Sequence, residues 1–154
     1  METSELIKDL GERLGVELEP DANGVCAFEA DGLVISILDL PELYAIALIG
    51  DLGTPPPERL EGLYAALLEA NHLFRDTGGS TLSRDPDTGH LTLCRVLQRG
   101  MLGPDDFYDA IERFVSTAQV WADVIRNYRE ASPMDDDSQA PTGLETFKSG
   151  IILG

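Results

Sequence analysis

The chain has 154 residues, 43% of them hydrophobic, which is enough for one domain with a real core. Its formal net charge is -17, from 28 acidic against 11 basic residues. That field excludes nucleic acid and anionic membrane as partners, because both need Lys or Arg to displace counterions at phosphate, and it suits a partner that is basic or neutral.

In chain order, the first periodic segment runs from about Ser4 to Leu14, with Leu6, Ile7, Leu10 and Leu14 on one stripe. Thr3 or Ser4 is placed to cap its start, and Gly15 to end it in a left-handed conformation. After the turn-like Pro20 to Gly24 come Val25–Ala30 and Leu33–Leu38, separated by Asp31-Gly32, the pair a type I′ hairpin favours. Pro41 breaks the run, and Leu43–Ile49 is predicted as a third strand, completing an antiparallel meander. The punctuated stretch Gly50 to Pro57 leads into a second helix starting near Pro57, with Leu60, Leu63, Tyr64, Leu67, Leu68 and Asn71 at helical spacing. Beyond Gly78-Gly79, Thr81–Arg84 and Leu91–Leu97 form a second hairpin around Asp85-Pro-Asp-Thr-Gly89, whose residues all favour turns. A long third helix follows Gly103. Pro104 suits its first position, Asp105 and Asp106 the positive end of its dipole, and Arg126 and Arg129 the negative end.

The order α-β-β-β-α-β-β-α implies an α+β domain, helices on an antiparallel sheet, over residues 1–131. Residues 132–154 are an acidic linker followed by an apolar tail carrying Leu144, Phe147, Ile151, Ile152 and Leu153. That tail can be a chain end with incidental apolar residues, or a segment that occupies a hydrophobic groove of its own protein as a mimic of a partner.

Candidate chemistry is sparse. Cys26 and Cys94 lie in apolar strand-like runs and read as small buried hydrophobes with reduced thiols. No further Cys or His stands at ligand spacing, so no metal is expected. The histidines are His72, late in the second helix, and His90, in a turn with Asp85 and Asp87 that would be the place for a metal-dependent hydrolase if there were one. The backbone needs of that turn already explain its Asp and Gly residues. There is no G-x-S-x-G elbow, and the glycine pairs lack the lysine and helix context of a phosphate loop. The N-terminus has no basic stretch followed by an apolar one, and no apolar run approaches the roughly 20 residues of a bilayer span, so a cytosolic protein is expected.

Leu14-Gly15 closing the first helix, the Asp31-Gly32 hairpin, Leu67-Leu-Glu-Ala-Asn-His-Leu73, Thr77-Gly-Gly-Ser-Thr-Leu82, Asp85-Pro-Asp-Thr-Gly-His-Leu-Thr-Leu93 and a last helix with Phe114-Val115 and Trp121 follow in unbroken order. Over about residues 4 to 130 this pattern resembles the CesT/Tir family of type III secretion chaperones. The resemblance implies a homodimer of α/β protomers in the bacterial cytosol. Such a protein binds the N-terminal segment of a secreted effector, holds it extended, and needs no cofactor and no catalysis. Relatives of the same fold regulate rather than escort, so a regulatory or scaffolding protein binding a folded partner is the alternative.

A chaperone of an extended segment needs exposed apolar grooves and sheet edges to which client strands can add. The first helix and first three strands hold more apolar side chains than one sheet face can bury, which a strand buried on both faces would also explain. Client contacts are expected on Leu6, Leu10, Phe28, Val34 and Leu38. The dimer contact, near the second helix and second hairpin as the resemblance suggests, is expected on Leu67, Leu82, Leu91 and Leu93, the last three as a self-complementary patch.

Overall fold

A computed structural model describes residues 1–130, and the segment 132–154 read above as linker and tail lies outside the described residues. Helix α1 is Thr3–Leu14, strands β1, β2 and β3 are Val25–Ala30, Leu33–Leu40 and Ala45–Gly53, and helix α2 is Leu60–Asn71. Strands β4 and β5, Thr81–Arg84 and Leu91–Gln98, precede helix α3, Pro104–Glu130. The five strands form one antiparallel sheet in the order β1-β2-β3-β5-β4. The fold is therefore α+β, with the element order the sequence implies.

Turn chemistry sets these boundaries. Asp31 and Gly32 both take positive φ, as a type I′ turn demands, and they fix the β1–β2 register with Ala30 opposite Leu33. Gly15 ends α1 in the left-handed region. Two local expectations are corrected. The N-cap of α1 is Glu2, whose N–H donates to Glu5 Oε2 at 3.0 Å; Thr3 is inside the helix, buried, its hydroxyl donating to Asp39 Oδ1 at 2.6 Å. Strand β3 begins at Ala45 rather than Leu43, because Pro41–Leu43 winds into a single 3₁₀ turn that Tyr44 closes with a left-handed backbone.

The core lies between the sheet and α3. The Cα of Gly50 faces Ala118, Ile35 and Phe114 so closely that an added Cβ would stand 3.3 Å from the Ala118 methyl. Gly50 thus lets α3 pass directly over β3. Because side chains alternate along a strand, this fixes which face each strand turns to the helix. Cys26, Ile35, Ile37, Ile46, Leu48, Leu82, Leu91, Leu93 and Leu97 share the helix-side register and are buried. Against them pack Phe107, Ile111, Phe114, Ala118, Trp121 and Ile125 of α3, spaced to form one stripe. Helix α1 lies against α3, adding Leu6, Ile7 and Leu10 to the same core. Trp121, wholly buried, donates its indole N–H to the backbone oxygen of Asp76 at 2.9 Å and so pins the α2–β4 connection to α3. Helix α2 sits beside β4.

Candidate functional site

The alternate side chains of all five strands point to the face away from α3. Read across the sheet, they form rows. One row contains Glu29 and Val34, continues at Asp51, and ends at Thr92 and Ser83. The next holds Ala27, Ser36, Ile49, Cys94 and Thr81. A third is Val25, Leu38, Ala47 and Val96, and a fourth is Leu40, Ala45 and Gln98. The third row is entirely apolar. Val34 and Val96 are 48% and 52% exposed, values far above those of their helix-side neighbours Ile35 and Leu97 at 0% and 8%. One face of the sheet is therefore closed by α3 and the other lies open.

The open face has relief. Ala45 and Ala47 stand on the central strand between Leu40 and Leu38 on β2 and Gln98 and Val96 on β5. Short side chains flanked by long ones make a trough along β3, and both methyls are buried by their neighbours. Ile49 closes it at one end. At the other lies a cluster of exposed apolar side chains, Leu43, Tyr44 and Met101, on the two turns that leave the sheet there. These turns are held together by Arg99. Its N–H donates to the Tyr44 carbonyl at 2.9 Å, its guanidinium lies 5.3 Å from the Tyr44 ring centroid, and Asp39 and Glu2 are 3.5 and 3.6 Å from it.

The helix-side register carries strand charges of both signs, Asp39 among them, whereas the open face carries one sign. The strand arginines, Arg84 and Arg95, occupy the helix-side register opposite Leu91 and Leu48. The charged residues in the open-face register are Glu29 and Asp51, both carboxylates. Asp51 accepts the Gly53 N–H at 2.8 Å and lies 3.0 Å from His90 Nδ1, at the bulge where β3 leaves register with β5. Cys94 lies half-buried on the same face, and burial pushes its thiol pKa up, as it does that of the core residue Cys26.

The sheet edges differ as sharply as its faces. Asn71, the last residue of α2, reaches β4 with its amide: Nδ2 donates to the Leu82 oxygen at 2.9 Å and Oδ1 accepts the Leu82 N–H at 2.8 Å. It thereby occupies the outward backbone groups that another strand would use. The opposite edge, β1, has Asp21 bonded to both backbone groups of Val25 and then runs outermost in the sheet.

These positions divide the expected site residues. Val34 and Leu38 are on the open face. Phe28 is on the helix side and half-buried, and Leu6 and Leu10 are wholly buried in the core with α3, so these three do not share a face with the other two, and Leu6 and Leu10 have no outer surface in this protomer. Leu67, on the buried side of α2, and Leu82, Leu91 and Leu93, whose strand register turns them towards the helices, are likewise core residues. The apolar side chains that do emerge near α2 are Leu68, Leu73 and Phe74, at 70%, 79% and 57% exposure. Leu73 and Phe74 both have left-handed backbones, which presents two bulky side chains on a sharp turn. In the other turn singled out from sequence, Asp85 Oδ1 accepts the Asp87 N–H at 2.9 Å, a bond that holds its carboxyl below the usual carboxylate range, while His90 faces Asp51 instead. Among the described residues no three His, Cys, Asp or Glu side chains are grouped to hold a metal, and no helix is long and apolar enough to cross a membrane.

The Tir chaperone protein (CesT) family matches residues 5–122, and the chain belongs to it. Among solved structures the chain is similar to one in the HopA1-SchA chaperone-effector complex, at 21% identity and a TM-score of 0.61, covering 83% of this chain and 93% of that one. It is similar to a chain of the ExsC-ExsE complex at 20% identity and a TM-score of 0.68, covering 79% and 91%. A third similarity is to the Yersinia pestis type III secretion chaperone SycH, solved with a fragment of YscM2. The match there has 20% identity and a TM-score of 0.57, covering 75% and 95%. A search of curated protein sequences gave no significant match.

Proposed function

We propose that this protein is a cytoplasmic type III secretion chaperone that binds the N-terminal segment of a secreted effector and keeps it extended, soluble and ready for export. The observation that carries this reading is the open apolar face of the sheet in a chain of the Tir chaperone family. A patch of exposed apolar side chains floored by alanines loses free energy in water and regains it when another polypeptide covers it. Such capture is stoichiometric and involves no catalysis. Client contacts fall on Val34, Leu38, Ile49 and Val96, with the β1 edge open to an added strand.

The working form is a homodimer. Leu68, Leu73 and Phe74 are the exposed apolar group beside α2, and a two-fold contact through them would leave the open sheet face of each protomer outward. Affinity purification of the tagged protein from its native bacterium, with partners mapped by limited proteolysis and complex mass by light scattering, tests the reading. Two copies carrying one secreted protein through its N-terminal segment are expected, and Ile49→Asp should abolish capture while leaving the dimer intact. Recovery of only folded cytosolic partners, or capture unaffected by Ile49→Asp, refutes it.

A further inference from the structure

From the ordering of the open face we infer that the segment it receives has a fixed polarity: apolar side chains in the Ala45–Ala47 trough and Lys or Arg over the Glu29–Asp51 row. This inference rests on the chaperone reading and adds the chemistry and direction of the partner.

The described strands carry Arg84, Arg95 and Asp39 in the register that faces α3, and carboxylates alone, Glu29 and Asp51 (the latter beside His90), on the side left open. The side chain of Asp51 is accessible, and that of Glu29 is exposed on the edge strand. These two carboxylates lie in one row, two strands apart, so they stand about 10 Å from each other across the sheet. Moving along β2 and β3 by four residues reaches the row of Val25, Leu38, Ala47 and Val96. At about 3.3 Å per residue this row is about 13 Å from the carboxylates. Beyond it the row of Leu40, Ala45 and Gln98 carries no charge and leads towards the exposed Leu43, Tyr44 and Met101.

The strands of this face are therefore acidic at one end and uncharged over the rest, with the apolar trough along β3, and the gradient runs along the strands. A segment laid along the trough meets it in only one favourable direction. With its aliphatic or aromatic side chains between Leu38 and Val96, a basic residue about four positions away in an extended chain reaches the carboxylates. The reverse orientation places apolar groups on Glu29 and Asp51 and leaves the cation over valine and leucine. A Lys or Arg on a strand added to β1 would also lie opposite Glu29, the arrangement in which opposite charges pair across a ladder. The net charge of -17 acts in the same sense at longer range, drawing in cationic segments at low ionic strength.

Three synthetic peptides test the inference on the full-length protein by fluorescence anisotropy. They share an identical apolar stretch and carry, about four residues from it, two lysines, two glutamines or two glutamates. The lysine peptide should bind about tenfold more tightly than the glutamate peptide in low salt, with glutamine between them, and the difference should collapse towards about 1 M salt, where the screening length falls to about 3 Å. The double variant Glu29→Gln, Asp51→Asn should remove the lysine preference while retaining affinity for the glutamine peptide. Equal affinities for the three peptides, or a lysine preference that survives the double variant, would overturn the charge inference and leave the apolar docking face standing. Failure of every peptide to bind would overturn both.

Discussion

Asn71→Ala isolates the device that closes one edge of the sheet. The side-chain amide of Asn71 makes two bonds, of 2.9 and 2.8 Å, to the carbonyl and N–H of a single residue, Leu82, whose side chain is buried. Removing it leaves both backbone groups without their partner beneath α2, and each costs about 1–1.5 kcal/mol. The expected loss is about 2–3 kcal/mol, or roughly 6–10 °C in Tm for a folded region of this size. Urea denaturation at fixed protein concentration measures it, since a dimer's stability depends on concentration. Hydrogen exchange supplies a second readout. The Leu82 amide should lose protection, while those of Thr81 and Ser83, which alternate towards β5, should keep it. Asn71→Asp gives the control by charge: its oxygen still accepts from the Leu82 N–H, but at pH 7 an anion replaces the donor facing the Leu82 carbonyl. It should be at least as unstable as the alanine variant at neutral pH, and should recover as acid protonates the carboxyl and restores a donor. A loss for Asn71→Ala below about 0.5 kcal/mol, with Leu82 protection unchanged, would show that the amide does not hold this edge.

Four further outcomes follow from single sites. The Thr77 hydroxyl is the buried side-chain polar atom that lacks a hydrogen-bond partner among the described residues, so Thr77→Val should leave stability unchanged or raise it by up to about 1 kcal/mol in the same urea assay. Leu73→Asp or Phe74→Asp should yield a folded monomer by light scattering; Asp tolerates a left-handed backbone better than Leu or Phe, so the turn itself is not penalised. Cys94 should be alkylated faster than Cys26 and be protected when client covers the open face. Both rates should keep rising with pH beyond that of a free thiol, because burial raises both pKa values. The depressed pKa of Asp85, caused first by the Asp87 N–H, stabilises the fold only while the carboxylate is charged. Thermal scans should therefore show wild type above Asp85→Asn at pH 7, the gap closing as pH falls through the folded-state value below 3.8.

Much of the fold was legible because turn signals are local. Asp31-Gly32, Gly15, Pro104 and the Asp85–Gly89 turn each impose a backbone conformation that few other residues meet, and each stands where an element begins or ends. The site was less legible because alternation reveals two faces of a strand without saying which one a helix covers. In β2 the sets Ile35, Ile37 and Val34, Ser36, Leu38 were both apolar enough to be core. The serine in the second set was the signal that it faces outward, but it is a weak one. The burial of Leu82 and Leu93 was hidden for the same reason, since it depends on the strand order and on the path of α3 over Gly50, and that of Leu6 depends on α1 packing against α3. Asn71 belonged to the run Leu67 to Leu73 that carries the family resemblance, yet its role depends on a strand eleven residues later. No spacing within the helix could reveal it.

These features fit together as a division of surfaces. A sheet with one covered face has three other places where polypeptide can add: the open face and two edges. Asn71 removes the β4 edge by satisfying Leu82 from α2, which leaves the β1 edge and the open face adjacent to one another, with Glu29 on both. An open apolar face carries the hazard that a second copy will cover it. Placing the only charged open-face strand residues as carboxylates, on a chain of net charge -17, opposes that self-association by like-charge repulsion while favouring a cationic segment. The exposed apolar group at Leu68, Leu73 and Phe74, proposed above as the dimer contact, lies apart from that face on α2 and the turn after it. On the proposed reading, dimerisation and client capture use separate surfaces of the same small fold, each specified by which side of a strand or helix its residues face.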